Sequence, residues 1–182
     1  MYDTATGRSA GTPSAASVAH YRLRPEETEV AFATRHLLGL GRVRGTIRVL
    51  AGRMSVDTTA GELLLLEVDL DLRSFASGGR ARDRVVASAA FLDTEAHPIG
   101  VYRSTAAIRT ATGWTARGTL TVKGVAAPLD LQIEDLEPET ALAASATAVI
   151  DRFAYGIDFP TLMASRHLRV DITARAERVP AL

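Results

Sequence analysis

The chain has 182 residues, of which 47% are hydrophobic and 23% charged, with 21 basic and 21 acidic side chains and no cysteine. This length fits one domain whose core is large enough to leave an internal cavity, and the composition excludes intrinsic disorder. A balanced charge offers no field for nucleic acid or an anionic surface, and without cysteine there are no disulfides, thiolate nucleophiles or thiolate metal sites.

Residues 1–17 are rich in Ser, Thr, Ala and Gly and read as a flexible N-terminal segment ahead of one domain at 18–182. The first twenty residues hold no apolar run long enough for a signal-peptide core, which predicts a cytoplasmic protein. The longest apolar run elsewhere, Leu63 to Leu66, is far short of the roughly 20 residues of a membrane-spanning helix.

From Val18 onward, apolar and polar residues alternate with period two between Gly, Pro, Asp and Thr, the pattern of half-buried strands. Val30, Phe32 and Thr34 form one such face. Residues 35–41 are Leu-rich and end in Gly, which predicts a helical turn at a barrel corner. Val43, Gly45, Ile47 and Val49 then alternate with Arg42, Arg44, Thr46 and Arg48, so one face is apolar and the other cationic and solvated. In the next segment Leu64, Leu66, Val68, Leu70 and Leu72 oppose Leu65, Glu67, Asp69, Asp71 and Arg73. Residues 80–92 predict the one helix, with Val85, Val86, Ala89, Ala90 and Leu92 as its apolar stripe, placed as a plug or lid. Trp114, Ala116, Gly118, Leu120 and Val122 make a further strand face, and 124–128 supply a turn into Leu129, Leu131 and Ile133. Residues 141–151 and 166–176 complete about eight to ten strands, enough for a closed barrel or a sandwich.

Enzyme and cofactor motifs are absent. The sequence has no phosphate-binding glycine loop, G-x-G-x-x-G, H-E-x-x-H or G-x-S-x-G, and its histidines (His20, His36, His97, His167) lack metal-ligand spacing. His36, between an apolar strand and a glycine-flanked turn, suits a structural role, a head-group contact or a general base. His97-Pro98 reads as a turn. Asp83 and Arg82 read as a buried pair at the barrel rim or as a solvated helix face. Arg35, Arg42, Arg44, Arg80 and Arg82 could form a cationic rim or remain solvated. The aromatics Phe32, Phe75, Phe91, Tyr102, Trp114, Phe153, Tyr155 and Phe159 are core or cavity-lining groups.

Several runs resemble the YceI-like family of lipocalin-like, lipid-binding proteins. They are Arg35-His36-Leu37-Leu38 before Val43-Arg44-Gly45, Asp69 to Phe75 leading to Arg82-Asp83, and Ser88-Ala89-Ala90-Phe91-Leu92-Asp93 before His97-Pro98 and Tyr102-Arg103-Ser104. Gly118 to Val125 and Ile150-Asp151-Arg152-Phe153-Ala154-Tyr155-Gly156 continue the match in order, from about residue 21 to 177. The resemblance implies an all-β fold: an extended eight-stranded antiparallel barrel with one accompanying helix, enclosing a tunnel for a polyisoprenoid or related amphiphile. Val85, Ala90 and Leu92 stand where family members commonly carry His, Asp and Phe, which implies a more apolar helix here.

Combining strand parity with this implied tunnel predicts a ligand wall of Phe32, Leu66, Val68, Leu70, Leu72, Phe91, Trp114, Leu120, Val122 and Ile150, with Arg35, His36 and Arg82 as head-group candidates. Each buried methylene contributes up to ~0.8 kcal/mol, so a chain of roughly 20 carbons supplies on the order of 10 kcal/mol before ordering costs. A head-group bond adds about 1–3 kcal/mol. The expected partner is therefore a long-chain isoprenoid or isoprenoid quinone, with no catalytic residue, metal or cofactor. Two rival readings are a small enzyme using His36 as base, with Asp83 or Arg35 beside it, and a ligand-free barrel that dimerises through 170–176 or through exposed Leu63 and Leu65.

Overall fold

The computed structural model describes residues 18–36, 41–134, 141–158 and 165–180. The segment 1–17, residues 37–40 and Phe159 lie outside the described residues, as do the side chains of Arg35, His36 and Arg42.

The strands are β1 (Val18–Leu23), β2 (Glu29–His36), β3 (Gly41–Asp57), β4 (Glu62–Ala76), β5 (Ile99–Thr110), β6 (Gly113–Val122), β7 (Val125–Glu134), β8 (Ala141–Asp151) and β9 (His167–Val179), and the helix is α1 (Arg80–Ala87). All pair antiparallel in one sheet that closes on itself through β3 and β4. β1 and β2 occupy a single position in the barrel. Both lie between β3 and β9, β1 pairing with Arg53 to Asp57 and β2 with Gly41 to Ile47, and a 3-10 turn at Pro25–Glu27 separates them. The result is an eight-stranded antiparallel barrel with one helix, an architecture that removes free sheet edges.

Four sequence expectations need correction. Of the helical turn expected over 35–41, Arg35 and His36 are strand residues of β2 and Gly41 one of β3, with His36 paired to Gly41, while residues 37–40 lie outside the described residues. The turn expected at 124–128 is only Lys123-Gly124, both with positive φ (54° and 73°), the geometry of a tight two-residue hairpin. Pro128 is a strand residue, opposite Thr119 of β6 and beyond the short contact of β7 with β8 at Gln132 and Ile133, where its missing N–H is tolerated.

The third correction concerns β4. The pairing steps from Ser55–Leu65 to Val56–Leu63, so Leu64 is an extra residue in a bulge and the parity reverses there. Leu63 is therefore 4% exposed and in the core, and Leu64 is 39% exposed. Val170, Ala174 and Ala176 are buried inside the barrel as well, so neither Leu63 nor the apolar face of 170–176 is available as a dimer surface.

The fourth is the helix, which stops at Ala87. Ser88 is extended, with ψ of 165°, and its hydroxyl donates to Val85 O at 2.7 Å, satisfying a terminal carbonyl. The chain then turns, with Phe91 N–H and Asp93 N–H both bonding to Ser88 O at 2.9 Å. Phe91 is thereby driven into the core, whereas Ala89 and Ala90 are exposed.

Candidate functional site

The two ends of the barrel are built differently. At the end carrying the β3–β4 and β5–β6 turns, Tyr21, Val56, Leu63, Trp114 and Ala116 are buried and fill the interior. The β3–β4 turn there is fixed by the Asp57 carboxylate, which accepts from Thr59 N–H and Ala60 N–H at 2.8 and 3.1 Å. Toward the other end the interior opens into a cavity of about 280 Å³.

Its wall explains the space. On β8 and β9, Ala144, Ala146, Ala148, Ala174 and Ala176 all face inward, and Val and Leu from β3, β4, β6 and β7 face them. The alternation is that of half-buried strands, but one side of the barrel carries methyl groups where the other carries branched chains. A close-packed interior would need those volumes filled. Phe32 and Phe75 stack at 4.9 Å with their planes 22° apart, and both line the cavity. Gly45 makes this possible, because a Cβ there would lie 2.3 Å from the Phe32 ring.

The helix end forms the rim. Val85 and Val86 of α1, with Phe91 and Leu92 after it, line the cavity, and Val85 is at the same time 36% exposed. Asp83 and Arg82 hold this cover through Ser77 rather than by pairing with each other. The Asp83 carboxylate accepts from Ser77 N–H at 3.0 Å and from the Ser77 hydroxyl, and Arg82 donates from Nε to Ser77 Oγ at 2.7 Å and from Nη2 to Ser77 O at 3.1 Å.

Of the expected wall residues, Phe32, Leu66, Val68, Leu70, Leu72, Phe91, Leu120, Val122 and Ile150 line the cavity. Trp114 does not. It is inward-facing but belongs to the filled end, with the Arg109 guanidinium 4.8 Å from its ring. Of the head-group candidates, Arg82 lines the cavity, while the side chains of Arg35 and His36 lie outside the described residues. Arg44 and Arg80 are exposed. Phe153 is also on the surface, flanked by Arg152 and Arg166 at 4.9 and 5.0 Å.

Sequence reasoning missed the alanines of β8, whose alternation through Ala144, Ala146 and Ala148 was visible but suggests nothing about volume until its facing residues are known. It also passed over Arg152, which is 3% exposed and lines the cavity. Arg152 stands on a 3-10 turn, Arg152–Tyr155, with Tyr155, and donates from Nη1 to Ile157 O at 2.5 Å and from Nε to Ser165 O at 3.2 Å. Tyr102 and Tyr155 are the cavity's phenols, each pushed up to about 12 by burial, so both stay protonated and can donate. Among the described residues no cluster of His, Asp and Glu could hold a metal ion, and no helix is long and apolar enough to cross a membrane.

Comparison with solved structures places the fold. Burkholderia cenocepacia BcnA superposes with a TM-score of 0.73 at 14% identity, covering 84% of this chain and 98% of that one. A domain from Saccharophagus degradans, described as a polyisoprenoid binding domain implicated in plant cell wall breakdown, gives 0.62 at 15% identity over 87% and 98%. The Campylobacter jejuni YceI protein gives 0.60 at 18% over 70% and 80%. Among curated proteins, UPF0312 proteins of Pseudomonas putida strains F1 and KT2440 are 34% identical over 94 residues, 50% of this chain and 48% of theirs. The chain thus spans about half the length of the curated relatives it matches. The model of the YceI-like domain matches residues 21–177, and the chain belongs to that family.

Proposed function

We propose that this YceI-like domain binds a long-chain amphiphile of the isoprenoid class in its barrel, sequestering or carrying it. The observation that carries the reading is the apolar cavity itself, walled by Leu, Val and inward alanines. An apolar cavity of this kind is poorly suited to water and well suited to a hydrocarbon chain. Phe32, Leu66, Val68, Leu70, Leu72, Phe91, Leu120, Val122 and Ile150 are the side chains that would contact the tail. The similarly folded Saccharophagus degradans domain, described as polyisoprenoid-binding, supports the ligand class.

Affinity comes mainly from the tail, at up to ~0.8 kcal/mol for each methylene withdrawn from water. The same physics predicts little discrimination between tails of similar length, since one methylene more or less changes the energy by about this amount.

Native mass spectrometry of the freshly purified protein, followed by organic extraction, tests the reading. The expected result is a stoichiometric long-chain lipid, and uptake that is lost in Leu70→Trp while circular dichroism and thermal unfolding stay normal. A ligand-free mass together with no uptake of polyprenols, quinones or fatty acids would exclude it.

A further inference from the structure

Arg152 and Tyr155 are polar breaks in the apolar wall, and they stand at first and fourth positions of one 3-10 turn. Residues three apart eclipse in such a turn, so the guanidinium and the phenol leave it on one side. The turn is firmly built. Asp151 accepts from Phe153 N–H at 3.1 Å and from Arg166 Nη2 at 2.6 Å, and Gly156, at φ 67°, closes the turn with its N–H on Phe153 O at 3.1 Å.

The two cavity tyrosines differ in one respect. Tyr102 donates to Ala116 O at 2.8 Å. The Tyr155 hydroxyl is shielded from solvent, on a residue 2% exposed, and has no hydrogen-bond partner among the described residues. Buried hydroxyls are nearly always bonded, because an unmade bond forfeits the hydration given up on folding. Its high pKa keeps the proton in place, so the group is a donor in want of an acceptor.

We propose that the Tyr155 hydroxyl donates to an uncharged oxygen of the ligand, an alcohol or carbonyl oxygen drawn inside the barrel beside Arg152. This rests on the binding reading above and adds to it the position and chemistry of the ligand's polar group. An anion is disfavoured at this depth. Arg152 already spends bonds on Ile157 O and Ser165 O, and the carboxylates of Asp151 and Asp158 act on its charge. A phosphate or carboxylate would lose its water there with little return. Arg82, the head-group candidate the sequence offered, is engaged by Ser77.

The test compares wild type with Tyr155→Phe for three probes sharing one saturated branched chain: phytanol, phytane and phytanic acid, each titrated from a cyclodextrin carrier at neutral pH. Tyr155→Phe should weaken phytanol by about five- to tenfold, the loss of one hydrogen bond, and leave phytane unchanged. The ligand-free variant should unfold at the wild-type temperature, since its hydroxyl has no bond to lose. Unchanged phytanol affinity, or equal losses for phytanol and phytane, would overturn the assignment while leaving the binding function intact. Phytanic acid binding as tightly as phytanol would overturn the restriction to an uncharged oxygen. If wild type takes up none of the three, the binding reading itself fails and this inference with it.

Discussion

The two ends of this barrel share their strands, yet one is solid and the other hollow. At the solid end Tyr21, Val56, Leu63 and Trp114 are all buried in the core. Along the middle of β8 and β9, Ala144, Ala146, Ala148, Ala174 and Ala176 line the cavity, and Ile150, Leu168 and Val170 continue its wall toward the helix end. The difference teaches that a barrel's diameter is fixed by strand number and stagger, but its contents are fixed by side-chain volume.

The sharpest way to break this comparison is to remove volume at each end. Trp114→Ala should cost about 3–5 kcal/mol of unfolding free energy, measured by urea denaturation, because it leaves a hole in a packed region. Val68→Ala, on the cavity wall, should cost less than about 1.5 kcal/mol, since its side chain already borders space. Equal losses would mean that the ends are packed alike.

Adding volume should give opposite signs. Ala116→Leu at the solid end, where Ala116 is 0% exposed, should destabilise by about 1–3 kcal/mol through overpacking. Ala146→Leu in the hollow region should leave thermal stability unchanged or raised and reduce lipid uptake. A destabilised Ala146→Leu protein would show that the alanine wall is needed for packing rather than for space.

The smallest effect sharpens the picture of the rim. The Arg166 guanidinium bonded to Asp151 holds that carboxyl down to about 2, below the usual carboxylate range. A lowered folded-state pKa stabilises above the unfolded value near 4 and ceases to do so as pH falls toward 2. Thermal unfolding across this window should therefore show a steeper loss in wild type than in Asp151→Asn, and identical pH profiles would remove the Asp151–Arg166 pair from the rim's support.

Much of this was legible in the sequence, for reasons that differ from strand to strand. The face Leu120, Val122 and the run Leu66 to Leu72 could be read because period-two alternation survives wherever one face is buried. The strand β5 could be read only from the motif around Tyr102-Arg103-Ser104, since the irregularity between Ser104 and Ala106 interrupts its alternation. Leu63 and Leu64 were assigned to the wrong faces because four consecutive leucines carry no parity signal, and the bulge that orients them depends on β3. The helix was drawn too long because Ala89 and Ala90 continue a helical spacing, while the turn that ends it is closed by the Phe91 and Asp93 N–H groups on Ser88 O and by the burial of Phe91.

By itself, the sequence determined the strands, the single helix, the inward face of most strands and the family, because these depend on local alternation and on motifs held in order. Only the tertiary structure decided where the interior is full and where it is hollow, because a void is a property of what faces a side chain across the barrel. The same holds for Tyr155. Its aromatic ring was visible in the sequence, but that its hydroxyl is buried without a partner depends on every neighbour the fold brings to it.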